Sequence, residues 1–100
     1  MPHFTYILEC SDRSFYVGSA SDVALRLEHH QSGRGGSYTA KRLPVRLVFH
    51  EAHPTLSAAL AREKQLKRWS HRKKAALIAD ELIVLKALAR RRQFRRNGSG

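Results

Sequence analysis

Two phenols lie ten positions apart near the start of the chain, Tyr6 in Thr5-Tyr6-Ile7 and Tyr16 in Tyr16-Val17-Gly18. Each stands in a short apolar run, and the polar turn Ser11-Asp12-Arg13-Ser14 joins the runs, so an antiparallel hairpin sets the tyrosines side by side. A phenol is a costly strand filler when only packing is needed, because its hydroxyl wants a partner. Two of them mark a site. Arg26 and His30 follow, four apart and hence on one helix face. They sit roughly 60° round from the Val23–Leu27 stripe, on the margin of the face expected to be buried. Taken alone they read either as an exposed basic pair or as side chains that packing positions toward a cleft.

Glu63 is the sharper anomaly. Leu56, Ala59, Leu60 and Leu66 mark an inward helical stripe, and Glu63 occupies the same stripe among Arg62, Lys64, Lys67 and Arg68. A carboxylate facing inward is costly unless paired or bound to a cation. It is therefore either the partner of a core-facing arginine or an oxygen ligand for a hard divalent ion, Mg²⁺ or Mn²⁺, whose shell phosphate and water would complete. Zinc is a poor match. His50-Glu51-Ala52-His53 has the wrong spacing for the zinc-protease motif, His29 and His30 splay apart, and Cys10 is the only cysteine. That lone thiol also rules out an internal disulfide and fits a reducing cytoplasm.

The rest of the charge points outward. Nineteen Lys and Arg against eight Asp and Glu leave a formal net charge of +11 over 100 residues. A small domain this basic partners polyanions, nucleic acid first among them. The clusters Arg62 to Lys74 and Arg90 to Arg96 are denser than solubility needs and suit a phosphate-backbone track. Within them Lys64, Lys67, Arg68, Arg72 and Lys73 are candidate contacts. Gly33-Arg34-Gly35-Gly36 lacks Walker spacing. It reads as a mobile basic loop through which Arg34 touches a backbone phosphate, or as a plain linker. Tyr38, with Lys41 and Arg42 nearby, is a candidate to stack on a base. Trp69 reads as a core anchor. No apolar run approaches the roughly 18 residues of a membrane span, and Met1-Pro2-His3 opens no signal-peptide pattern.

These side chains need a small scaffold to place them. Phe4, Tyr6, Leu8 and Cys10 alternate with Thr5, Ile7 and Glu9 in a first strand, and Phe15 to Gly18 form a second. Gly18 leaves that strand where positive φ or the close approach of a ligand is needed. Ser21 and Asp22 start a helix that Gly33 ends. Pro44 precedes a third strand, Val45 to His50, with Val45, Leu47 and Phe49 on one face. Pro54-Thr55 opens a helix to about Trp69, and Ser70 caps another that begins His71-Arg72-Lys73-Lys74 and either breaks at Asp80-Glu81 or extends through Leu85 and Leu88 into the basic tail Arg90 to Arg96. The expected fold is α+β, a small three-stranded antiparallel sheet flanked by helices. Residues 1–82 form the domain, 83–96 a basic helical extension, and 97–100 a flexible tail or vector-derived scar.

In this order the residues resemble the GIY-YIG nuclease superfamily, in particular its small stand-alone bacterial members. Thr5-Tyr6-Ile7 and Tyr16-Val17-Gly18 are similar to the two signatures, and Asp22 to Gly33 to the helix with the family arginine and histidine. Ala61 to Ser70 resembles the helix with the metal-binding glutamate. Thr5 stands where the name motif has Gly, and the late asparagine of some members has no counterpart, Asn97 lying in the terminal tail. The resemblance implies a cytoplasmic endonuclease using one divalent ion, Mg²⁺ or Mn²⁺, held by Glu63. Arg26 would stabilise the pentacovalent phosphate and Tyr6 would take a proton from water. Tyr16 would orient water or phosphate, and His30 would hydrogen-bond a tyrosine or relay the proton. With no base-reading helix in view, single-stranded or branched DNA is the expected substrate. The competing expectation is a non-catalytic DNA- or RNA-binding protein on the same scaffold.

Overall fold

The computed structural model describes residues 1–98, with side chains for all but 84, 85 and 90–98. The side chains of the basic segment Arg90 to Arg96 and the last two residues of the expected tail thus lie outside the described ones. Chain order is β1 (His3–Glu9), β2 (Phe15–Ala20), α1 (Val23–Gln31), α2 (Ser37–Ala40), β3 (Arg46–His53), α3 (Leu56–Lys67) and α4 (His71–Gly98). The sheet is antiparallel, with the first strand in the middle in the order β2-β1-β3. This is the α+β sheet-and-helix architecture expected.

A central strand with helices against both faces must be apolar on both sides. Thr5, Tyr6, Ile7 and Leu8 are accordingly all buried in succession. Tyr6, Leu8, Cys10 and Val45 pack with Val23 and Leu27 of α1, while Ile7, Val17 and Phe49 pack with Leu66, Trp69, Leu77 and Ile78. The second layer is drawn close by Ala59, which is 0 % exposed. Its carbonyl accepts a buried 2.8 Å hydrogen bond from the Thr5 hydroxyl. The hydroxyl that sets Thr5 apart from the name motif is thus a tie between sheet and helix.

Three expectations are corrected. The β1–β3 register shifts between Ile7 and Leu8, which pair with Phe49 and Leu47 and leave Val48 as the extra residue of a bulge. The alternation therefore breaks, and Leu47 lies with the Tyr6 side of the sheet while Phe49 lies with Ile7. On α3, Leu56 and Leu60 are exposed, and the inward stripe is Ala59, Arg62, Glu63, Leu66 and Trp69 just beyond the helix. On α4, no break occurs at Asp80-Glu81, and the helix continues through Asn97 to Gly98. Two acids without Gly or Pro remove no backbone hydrogen bond and clash with no preceding turn.

The helix starts follow their side-chain caps. Asp22 Oδ1 accepts from the Leu25 amide at 3.0 Å, Thr55 Oγ1 from Ala58 at 3.1 Å, and Ser70 Oγ from Lys73 at 3.1 Å. Gly33 ends α1 at φ 82°, where the Gly33 and Arg34 amides reach the carbonyls of His30 and His29. Gln31 then clamps α1 to the start of β3, its side-chain amide bonded to both backbone groups of Val45. The loop expected to be flexible instead contains α2, entered through Gly36 at φ 109°. Among the described residues no helix is long and apolar enough to cross a membrane.

Candidate active site

Tyr6 and Tyr16 do share one face of the hairpin, but diagonally. Tyr6 pairs with Gly18, and Tyr16 with Leu8. On the β2 side there is consequently no side chain across from Tyr6, and its ring lies over Gly18. An added Cβ there would stand 2.5 Å from the phenol oxygen and 2.6 Å from Cζ. Gly18 has no positive φ. Gly18, a candidate nucleic-acid contact from its sequence, is closely approached by Tyr6 itself and seats that ring.

His30 is 1 % exposed, inside the fold rather than on its margin. Helical spacing placed it correctly beside Arg26, but α2 closes over it from outside. Its Nε2 lies 3.0 Å from the Tyr6 hydroxyl and its Nδ1 2.9 Å from Thr39 Oγ1. The Tyr16 ring meets it edge-on at 5.0 Å. Behind it Gly35 leaves no room for a β-carbon, which would overlap the imidazole. Thr39 and Gly35 are site residues that the sequence reading missed. Their only local signal is the Gly-Gly-Ser start of a turn, and nothing in it points to His30 nine positions back.

Burial sets the electrostatics. The Tyr6 hydroxyl is pushed up to about 12, first by burial and then by Tyr16 and Glu63 nearby, with the Arg26 guanidinium beside it pulling the other way. His30 is held below the ordinary imidazole range by burial, reinforced by the positive charge of Arg26 and by His29. A neutral imidazole facing a protonated phenol is the resting state near neutrality.

Arg26 is exposed, and Glu63 keeps 21 % of its side chain exposed. The partner of Glu63 is not a core-facing arginine but Lys67, one helical turn on, at 3.2 Å from Oε2. Its Oε1 carries no hydrogen bond or ion pair among the described residues. Arg62, the arginine on that stripe, is taken by Glu51 at 3.1 Å and by Gln65. The described residues hold no group of three or more His, Cys, Asp or Glu able to ligate a metal. One accessible carboxylate fits Mg²⁺ or Mn²⁺, which take one or two protein carboxylates and fill the rest with water and phosphate. It does not fit a closed zinc site.

Of the expected nucleic-acid contacts, Lys64, Lys67, Arg68, Arg72 and Lys73 are exposed along α3 and the first turn of α4, and Arg34 and Lys41 are exposed nearer α2. Lys73 stands 4.2 Å over the Trp69 ring. Trp69 itself packs in the core as expected. Arg42 is not a free cation. It binds Asp12 at 3.0 Å and the Tyr38 carbonyl at 2.9 Å, and its guanidinium covers the Tyr38 ring at 3.8 Å. One face of the expected base-stacking platform is therefore occupied by the protein's own arginine.

Residues 2–76 match the family model of the GIY-YIG catalytic domain. A UPF0213 protein of Staphylococcus aureus (strain Mu3 / ATCC 700698) is 47% identical over 78 residues, covering 78% of this chain and 95% of that protein. The solution NMR structure of a UPF0213 protein from Bacillus halodurans is similar at TM-score 0.52 and 44% identity, over 79% of this chain and 84% of its own. That of a protein from E. faecalis is similar at TM-score 0.57 and 32% identity, over 83% and 88%.

Proposed function

Because the chain belongs to the GIY-YIG catalytic domain family, we propose that it is a divalent-metal-dependent endonuclease acting on single-stranded or branched DNA. The observation that carries this reading is the buried Tyr6–His30 hydrogen bond with the exposed Arg26 guanidinium beside Tyr6 and Glu63 in electrostatic reach. Packing alone has no use for that set.

Arg26 is free to meet a phosphate, and its guanidinium suits the charge that builds on a pentacovalent phosphorus. Tyr6 accepts the proton of the attacking water. Its phenolate is scarce near neutrality, so the hydrogen bond from His30 and the Arg26 charge have to hold it as it forms. Tyr16, edge-on to His30, orients water or phosphate. Glu63 would hold Mg²⁺ or Mn²⁺, which when bound supplies a Lewis acid for a non-bridging phosphate oxygen and the departing 3′ oxygen. A single candidate carboxylate supports one ion rather than a two-metal clamp. Lys64, Lys67, Arg68, Arg72 and Lys73 share α3 and α4 with Glu63 and offer the strand a cationic track. We take residues 1–82 as the catalytic unit and the basic stretch 83–96 as an extension of that track.

The test is cleavage of end-labelled single-stranded, duplex and branched DNA in Mg²⁺, Mn²⁺ or EDTA, with Glu63→Ala alongside. The expected result is metal-dependent cutting that Glu63→Ala abolishes while binding persists. Cutting by Glu63→Ala would overturn the metal assignment. Binding without cutting in either metal would replace the nuclease with a non-catalytic nucleic-acid-binding protein.

A further inference from the structure

Tyr6, His30 and Thr39 form a chain of two hydrogen bonds in which every member is at most 1 % exposed. A neutral imidazole donates from one nitrogen and accepts at the other, so the chain runs in one of two directions. If Tyr6 donates to Nε2, then Nδ1–H donates to Thr39. The Thr39 hydroxyl proton is then left without an acceptor, since Thr39 Oγ1 has no other hydrogen-bond partner among the described residues and no exposed surface. Burying an unpaired donor is the costly half of hydrogen-bond energetics. In the opposite direction Thr39 donates to Nδ1 and Nε2–H donates to the Tyr6 oxygen. The unspent proton then belongs to Tyr6, which keeps 1 % exposure where Thr39 has none and which has in Glu63, 21 % exposed, a nearby carboxylate able to accept through water, while Arg26 can only donate to its oxygen.

We infer that Thr39 is a positioning residue that fixes His30 as the Nε2–H tautomer, so that the imidazole donates to Tyr6 and the Tyr6 proton points out of the fold. His30 is then not a relay. The Tyr6 proton leaves outward, and the phenolate that remains accepts from His30 Nε2–H and from Arg26. When that phenolate takes a proton from the attacking water it returns to the phenol, and the imidazole is neutral throughout. Gly35 serves the same arrangement by letting the loop close against the ring, so that α2 can bring Thr39 to Nδ1. The consequence for cleavage rests on the nuclease reading above, whereas the tautomer stands on the hydrogen-bond accounting alone.

The experiment is a long-range ¹H–¹⁵N correlation of the imidazoles of the full chain near neutral pH, with His30 identified by the loss of its signals in His30→Asn. The expected spectrum shows His30 protonated at Nε2 and bare at Nδ1. Protonation at Nδ1 would overturn the inference even in a protein that cuts DNA. Thr39→Val keeps the shape and removes the donor, and Thr39→Ser restores it. Thr39→Val should lose the Nε2–H signature and slow turnover roughly 10- to 100-fold at little changed KM, with Thr39→Ser close to the parent in both. An unchanged tautomer and rate in Thr39→Val would also overturn it. Should Thr39→Val fail to fold, the parent and Thr39→Ser spectra decide. Absence of cutting by the parent chain would sink the nuclease reading and leave the tautomer to be decided by the same spectrum.

Discussion

Gly18→Ala puts the architecture of this site under direct load. The new methyl would stand 2.5 Å from the Tyr6 oxygen, 2.6 Å from Cζ and 3.1 Å from Cε2, against an ordinary contact near 3.4 to 4 Å. Tyr6 cannot swing away, being 1 % exposed with His30 3.0 Å from its hydroxyl. The ring must shift by on the order of 1 Å, which costs about 1–3 kcal/mol as overpacking. Loss of the Tyr6–His30 hydrogen bond adds about 1 kcal/mol. Against this, replacing a glycine whose φ is not positive recovers about 0.4–1 kcal/mol from the unfolded chain. The net is a destabilisation of about 2 kcal/mol, which lowers Tm by roughly 10 °C in a domain of this size. Cleavage should fall about 100-fold, because a group displaced by an ångström loses its line of attack. Urea unfolding and single-turnover cleavage read the two effects. In a Tyr6→Leu background, whose shorter side chain does not reach over residue 18, the same alanine should cost little stability. If Gly18→Ala keeps its Tm and loses only nucleic-acid affinity, the glycine serves a ligand's approach and the argument fails.

Two further outcomes are expected. His30 is held neutral by burial, its folded value lying below the unfolded value of about 6.5, so the unfolded chain binds more protons on acidification. The stability tied to its neutral form is complete above that unfolded value and is lost as pH falls below it toward the folded value. Denaturant titrations at pH 7.5 and pH 5 should therefore show a larger loss in the parent than in His30→Asn, and equal losses would contradict a buried neutral imidazole. Lys64 on α3 and Arg68 at its C-cap are both exposed. Replacing either with Ala should weaken DNA binding uniformly across sequences and flatten the slope of log K against log salt by about 1. An unchanged slope would remove that residue from the phosphate track.

The parts of this site that were legible in the sequence are those written in a local period. Alternation in β1 and β2 put Tyr6 and Tyr16 on one face, four-residue spacing put Arg26 beside His30, and the caps Asp22, Thr55 and Ser70 started the helices where they start. What was not legible depends on contacts across the chain. The bulge at Val48 is silent because Leu47, Val48 and Phe49 are all apolar, so a one-residue slip changes no pattern. The depth of His30 depends on α2, a four-residue helix too short to show a period. Leu56 and Leu60 read as core because apolar spacing says which face they share and not whether anything covers it. The role of Gly18 could not be separated from a ligand contact until its cross-strand partner was known to be Tyr6.

The strand that carries Tyr6 is made first and enclosed last. As the middle strand, β1 can pair with β2 once about 20 residues exist. Its other edge waits for Arg46–His53, and its Ile7 side waits for Ala59 and Leu66. At about 5–20 residues per second, a ribosome leaves that apolar strand half covered for several seconds. Folding of the unit is thus a late event in synthesis that depends on contacts far apart in the chain. A nascent chain halted before α3 would hold both tyrosines, Arg26 and His30 yet lack Glu63 and the second layer of the core. If the chain cuts nucleic acid as proposed, such a fragment would be inert toward the nucleic acid around it.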